Sequence, residues 1–427
     1  MDHPEFGDSQ SYLDYLESHA ALPEGFQVST ARIAFTPAER PSLEPYRMNL
    51  SLILADEPTD RFAAVFTRNA FPGAPVLLGR ERLDGHLQGL LINNKIANVR
   101  AKTGLDDARR LTRSLGEIAS VPERALLTVS TGIIGWALPV PEMEEALPGL
   151  HAGLHGGSAL EVAQAIMTTD SYPKIRRIPI GDGSIVGIAK GAGMIEPNMA
   201  TMLVFLLTDV TMEREIVRRA LTAAVADTFN AISVDSDMST SDMAVLMSSA
   251  RAPAVSEHDF TTALGTLCGL LARDVVRNGE GTGHVMEVSV TGCATSELAR
   301  GTAKAVVNSP LVKTAIYGND PNVGRLLSSV GDFLGNLGVA VDPSEVEITL
   351  GGERVFANGA FELDREKEMR LADYLKTAAL NPRVTGYPQH SRTVEISLAF
   401  GNGPGHATVW GSDLSDQYVH ENADYRT

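Results

Sequence analysis

The chain has 427 residues, enough for two lobes around sizeable cores, and is 44% hydrophobic and 21% charged, the balance of a soluble globular protein. A formal net charge of −17, with no clustered Lys or Arg, argues against a nucleic-acid partner. Two cysteines, Cys268 and Cys293, supply neither a disulfide framework nor a paired zinc motif, which suits a reducing compartment.

The acidic start, Met1-Asp-His-Pro-Glu-Phe-Gly-Asp8, has no apolar core of the signal-peptide kind. The longest apolar stretch, Ala125 to Pro141, is interrupted by Thr128, Ser130, Thr131 and two glycines, so no membrane span and a cytoplasmic location are expected. Residues 1–46, acidic and dotted with proline, are predicted to form an irregular extension. Asn49–Ala55 and Arg61–Thr67 read as strands around a turn rich in Asp, Pro and Thr, and Leu87–Asn93 reads as a third. Asp106 and Asp107 suit the first turn of a helix whose apolar positions are Ala108, Leu111, Leu115 and Ile118. Leu126–Val129 is a short strand running into Ser130-Thr131-Gly132. Residues 143–167 read as helices around a glycine-rich break. His151 and His155 there lack a third ligand, so no metal site is expected. Lys174–Ile180 and Ser184–Lys190 form a hairpin around Gly181-Asp-Gly183. Those glycines miss the dinucleotide spacing, and no Walker-type loop occurs.

Lys190-Gly-Ala-Gly-Met-Ile-Glu-Pro-Asn-Met-Ala-Thr-Met-Leu203 then leads from a glycine-rich loop into the apolar run Met202–Leu207, which has strand length. Thr201 stands at that junction, after a small Ala200 that leaves the preceding carbonyl uncrowded. As a residue type it is a β-branched strand former. A cut before it would also free an α-amino group, of reference pKa about 7.7–8.0, to take the proton of its own hydroxyl. Downstream, Thr211 is a predicted helix cap with Glu213 and Glu215 in the first turn. Thr228-Phe-Asn230 and Val234–Asp242 form a polar run, read as a hydrogen-bonded turn in preference to a cation site. A helix from Ser256 carries Phe260, Leu264, Leu267, Leu271 and Val275 and stops at Asn278-Gly279. Helices over Ser296–Val307 and Gly324–Leu334 alternate with strands at Val285–Val290, Glu345–Leu350, Arg354–Ala357, Thr393–Phe400 and His406–Trp410. This mixed order predicts an α+β layered protein.

The Lys190–Leu203 stretch resembles the self-cleavage site of the ornithine acetyltransferase (glutamate N-acetyltransferase) family. Ser130-Thr-Gly-Ile-Ile-Gly135, Met167-Thr-Thr-Asp170, Asn308–Asn322 and Asn422-Ala-Asp-Tyr-Arg-Thr427 are similar to that family's landmarks, in the same order. The resemblance implies an aminopeptidase-like self-processing fold with β-sheets packed between helices. It implies an alpha-chain part at 47–200 and a beta-chain part at 201–427 beginning at the nucleophile. The fragments would stay together as a dimer of heterodimers. The implied activity moves an acetyl group from N2-acetylornithine to glutamate, a recycling step of arginine biosynthesis. No cofactor is implied, with acetyl-CoA left open as a second acetyl donor.

The resemblance also assigns roles. Ala200 and Thr201 flank the cleaved bond, and Thr131 with Gly132 forms the oxyanion hole. Thr168, Lys190, Glu280, Asn422 and Thr427 join Thr201 in substrate binding. By residue type alone, Ser130–Gly132 is an ordinary turn, Lys190 a solvated lysine, Glu280 a surface acid, and Thr169 competes with Thr168. The chain departs from the family at Asn93-Asn-Lys-Ile-Ala-Asn-Val99, where Asn-Ser-Gly-Asn-Ala-Asn-Ala is usual. It departs also at Glu196, Ser236, Met238 and Val323, the last standing where tryptophan is usual. These departures keep open a related acyltransferase or amidohydrolase acting on another amino-acid derivative. An uncleaved binding protein of the same fold is the further alternative.

Overall fold

The computed structural model describes residues 4–41, 44–196, 202–389 and 392–423. The chain divides into two compact units, one made of Gln10–Asn230 with Asp237–Val275, the other of Met1–Ser9, Ala231–Ser236 and Val276–Thr427.

The first unit holds two sheets among its described residues. A four-stranded sheet runs in the order Phe26–Phe35, Tyr46–Thr59, Leu87–Asn93, Leu126–Ser130. Its first pair is antiparallel from Phe26↔Ala55 to Phe35↔Tyr46, and its last pair is parallel from Gly89↔Leu126 to Asn93↔Ser130. Leu87–Asn93 and Leu126–Ser130 are buried along their whole lengths, as expected of strands covered on both faces. The helices Gly104–Ala119 and Val140–Ala152 place Leu111, Leu115, Met143, Leu147 and Leu150 in the same core as Leu50, Leu52 and Leu91.

The second sheet has the order Phe62–Phe66, Met243–Ala252, Leu203–Val210, Gly183–Lys190, Lys174–Ile180. Leu203–Val210 is central. It runs parallel to Met243–Ala252, and on its other side it is antiparallel to the hairpin strand from Lys190↔Leu203 to Ile185↔Thr208. The helix Glu257–Arg277 carries the five expected apolar residues, Phe260 to Val275, all fully buried.

In the other unit a seven-stranded sheet is described, with Val285–Gly292 between Val394–Phe400, parallel to it, and Gly403–Ser412, antiparallel. The helix Ser296–Asn308 lies close against Gly403–Ser412, because Gly411 leaves no room for a side chain there: a Cβ would come within 2.7 Å of Val307. The Thr295 hydroxyl caps this helix by accepting from the Leu298 N–H at 3.1 Å.

The α+β class is as expected, and three local readings differ. The described part of residues 1–46 is not irregular: it contains the helix Ser9–Glu17 and a ten-residue strand, Phe26–Phe35. That strand pairs along its whole length with Tyr46–Thr59. Thr211 is not a cap. Its hydroxyl donates to the Ala252 carbonyl at 2.7 Å, tying two strand ends together, and Glu213 takes the N-cap position without a side-chain bond. Met243–Ala252, passed over in the sequence, is a strand between two partners.

Candidate active site

Because Leu87–Asn93 and Leu126–Ser130 are parallel, their following loops leave from the same edge of the sheet. The Ser130 hydroxyl donates to Asn93 Oδ1 at 2.6 Å, and Asn93 Nδ2 donates to the Ile96 carbonyl at 2.7 Å. The Thr131 N–H donates to the Asn93 carbonyl (3.1 Å) and the Ile133 N–H to the Lys95 carbonyl (2.9 Å). Gly132 lies between them with φ of 117°, and a Cβ there would stand 2.3 Å from the Lys95 carbonyl oxygen. Only glycine fits. Among the described residues, neither the Gly132 N–H nor the Thr131 hydroxyl has a hydrogen-bond partner. The turn therefore offers two adjacent, rigidly mounted donors, the equipment for stabilising a developing oxyanion.

The same loop reaches Thr168. Asn94 Oδ1 accepts from the Asn49 N–H at 2.9 Å while its Nδ2 donates to the Met167 carbonyl at 2.8 Å. The Thr168 N–H in turn donates to Asp170 Oδ2 at 3.1 Å, so Thr168 is the one of the two threonines whose backbone the carboxylate holds. Asp170 Oδ1 accepts from Lys174 Nζ at 2.6 Å and from the Gly191 N–H at 2.8 Å. Asp170 thereby joins the Thr168 turn to the loop after Lys190. Lys190 is buried, not solvated. Its ammonium makes no hydrogen bond among the described residues but acts on Asp170 through space.

Burial alone would raise the Asp170 carboxyl, but the ammonium groups of Lys174 and Lys190 and the two donors outweigh it and hold it down to about 2. Burial likewise pulls Lys174 below its usual range, against the field of Asp170. Asp170 is depressed from 3.8 to about 2, so its stabilisation is present in full above that ordinary value. It is lost as pH falls toward about 2. Asp170→Asn should take the carboxylate 2.6 Å from buried Lys174 out of the ion pair and cost about 3–5 kcal/mol, measured by urea unfolding at neutral pH. The variant should also lack this acid-dependent loss of stability. The sequence marked Asp170 as part of a landmark but gave it no task.

Ala200 and Thr201 lie outside the described residues. The chain before them is held by the Glu196 N–H on the Asp237 carbonyl, and after them by the Met243 N–H on the Met202 carbonyl, each at 3.1 Å. The polar run is a structural turn whose carbonyls are claimed from residues 67–73. The Thr67 hydroxyl donates to Ser239 (2.7 Å), Asn69 Nδ2 to Met238 (2.9 Å), and the Gly73 N–H to Thr240 (2.8 Å).

The remaining candidates belong to the other unit. Glu280 is buried, and its Oε2 accepts from Asn422 Nδ2 at 2.8 Å, so two residues 142 positions apart meet. The helix Asp416–Ala423 is seated on the Glu280 loop by Ser415. The Ser415 hydroxyl donates to the Gly281 carbonyl (2.6 Å) and accepts from the Tyr418 N–H (3.1 Å). Thr427 is outside the described residues. Two buried groups here escaped the sequence reading. Lys313 Nζ donates to the carbonyls of Val234 and Ser412, and His284 Nδ1 faces Asp413 Oδ2 at 2.8 Å. Val323 is buried beside a cavity of about 580 Å³ lined also by Asn319, Asp320, Arg365 and Glu368.

Among the described residues no group of three or more His, Cys, Asp or Glu is arranged to hold a metal, and no helix is long and apolar enough to cross a membrane. Residues 40–427 match the pattern of the ArgJ family.

The chain belongs to the ArgJ family.

The arginine biosynthesis bifunctional protein ArgJ of Geobacter sulfurreducens is 38% identical, over 92% of this chain and 98% of its own length. The glutamate N-acetyltransferase Oat2 of Streptomyces clavuligerus is 35% identical, over 96% and 100%. The crystal structure of an ArgJ from Bacillus halodurans has 34% identity and a TM-score of 0.45, covering 52% of this chain and 98% of that one. As an ArgJ-family member the chain is an acyltransferase of arginine biosynthesis.

Proposed function

We propose that the chain cuts itself between Ala200 and Thr201 and then moves an acetyl group from N2-acetylornithine to glutamate. In this reading the Thr201 hydroxyl attacks the acetyl carbonyl, and the freed α-amine takes its proton and delivers it to the departing amine of ornithine. The acetyl ester on Thr201 is then attacked by the amine of glutamate, which restores the hydroxyl and releases N-acetylglutamate. The observation that carries the reading is the Thr131–Gly132 turn, with a glycine that admits no side chain and two donors left open for the carbonyl oxygen in both steps. Lys190 supplies a buried ammonium for a substrate carboxylate. The roles of Thr168, Glu280, Asn422 and Thr427 in substrate binding belong to the same proposal. So do a dimer of heterodimers, a cytoplasmic location and acetyl-CoA as a second donor.

Intact mass of the purified protein, before and after addition of N2-acetylornithine, tests this directly. Fragments 1–200 and 201–427, with one acetyl group gained by the second, are the expected result. An uncut chain refutes the mechanism. A cut chain that loses acetyl to water without forming acetylglutamate makes it an amidohydrolase instead.

A further inference from the structure

Lys95 lies on the loop that contacts the Thr131–Gly132 turn and, through Asn94, the turn that carries Thr168. Its carbonyl accepts the Ile133 N–H, its backbone is what excludes a side chain from Gly132, and Ile96 bridges to Ile133. Its neighbour Asn94 holds the Met167 carbonyl. The side chain is half-buried, with its ammonium 5.4 Å from the centre of the Tyr46 ring, and Trp136 packs edge-on against the same ring. Among the described residues this ammonium has no carboxylate partner and no hydrogen-bond acceptor. A cation held on an aromatic face and left without a counter-ion, in a chain of net charge −17, is available to an anionic ligand.

We propose that Lys95 is a specificity residue that binds a second carboxylate of the substrate, selecting a dicarboxylic amino acid over one with a neutral or cationic side chain. The proposal rests on the functional reading above and assigns to Lys95 the side-chain carboxylate, Lys190 being left for the other. The two substrates of the transfer differ at this point: glutamate carries an anion on its side chain and N2-acetylornithine a cation. Lys95 therefore favours the acceptor and opposes the donor.

The test compares the wild type with Lys95→Met, which keeps the apolar stem, and Lys95→Arg, which keeps the charge. In Lys95→Met the KM for glutamate should rise about tenfold, the size expected for one partly exposed charge-assisted contact. The change should fall on KM more than on kcat, the KM for N2-acetylornithine should stay level or drop, and Lys95→Arg should recover most of the glutamate effect. Calorimetric titration with L-glutamate and L-glutamine reads the same preference without catalysis: the wild type should favour glutamate, and Lys95→Met should bind both alike. An unchanged KM together with an unchanged glutamate preference in Lys95→Met overturns the assignment to Lys95. If the wild type transfers no acetyl group, the functional reading fails, and the titration still decides the role of Lys95.

Discussion

Thr201→Ala should remain a single chain of full length and lose at least about a thousandfold in acetyl transfer, the order seen when a nucleophile is deleted from a covalent catalyst. The loss is double, since the substitution removes the hydroxyl and, with cleavage prevented, the α-amine never appears. Thr201→Ser keeps both groups and should be cut more slowly, then retain part of the activity. Denaturing gel electrophoresis reports the cut and product formation reports the transfer. An alanine variant that is processed and active would falsify the nucleophile assignment outright. A correctly folded, uncut alanine variant with full activity would refute that assignment equally, since alanine has no hydroxyl to carry the acetyl group.

Gly132→Ala should reduce kcat by about a hundred- to a thousandfold, the range for loss of one oxyanion donor. The added methyl group cannot fit 2.3 Å from the Lys95 carbonyl oxygen, and φ of 117° is hostile to any side chain. The turn must open, which rotates the Gly132 N–H and displaces the Thr131 hydroxyl. Gly135→Ala is the natural comparison. It too has positive φ, at 90°, yet a Cβ there meets nothing within 4 Å. It should show backbone strain of about 1–2 kcal/mol without the collision. Thermal unfolding alongside kinetics distinguishes the two. Similar kcat losses in both would mean that strain, not the displaced donor, carries the effect.

Sequence legibility followed the range of the deciding interaction. Leu87–Asn93 and Leu203–Val210 are readable because burial on both faces favours the apolar runs Leu90–Ile92 and Leu203–Leu207 that they carry. Met243–Ala252 is less so, since its Ser, Arg and Ala residues do not favour strands and the neighbouring strands impose the conformation. Phe26–Phe35 carries Phe, Val, Thr and Ile that do favour one and was obscured by the acidic, proline-dotted sequence around it. The Thr131–Gly132 turn was visible in its residue types. Its need for glycine comes from a carbonyl 37 residues earlier, and this no local pattern carries. Asp170, which holds Thr168, reaches Gly191 across 21 positions, and Glu280 meets Asn422 across 142. The opposite charges of Asp170 and Lys174, four apart, were the local hint of the former.

The five-stranded sheet interleaves strands from both sides of residue 200: Phe62–Phe66 and the hairpin precede it, while Leu203–Val210 and Met243–Ala252 follow it. Each part lacks the hydrogen-bonding neighbours that the other provides. The uncut chain can therefore reach this sheet in a first-order process, whatever its dilution. Were the chain cut as proposed, the same sheet could reassemble only by encounter of two molecules, so recovery after unfolding would become second order and depend on concentration. The proposed cut would thus make folding a one-way event in dilute solution, with the barrier to unfolding, rather than the equilibrium, setting the lifetime of the cut enzyme.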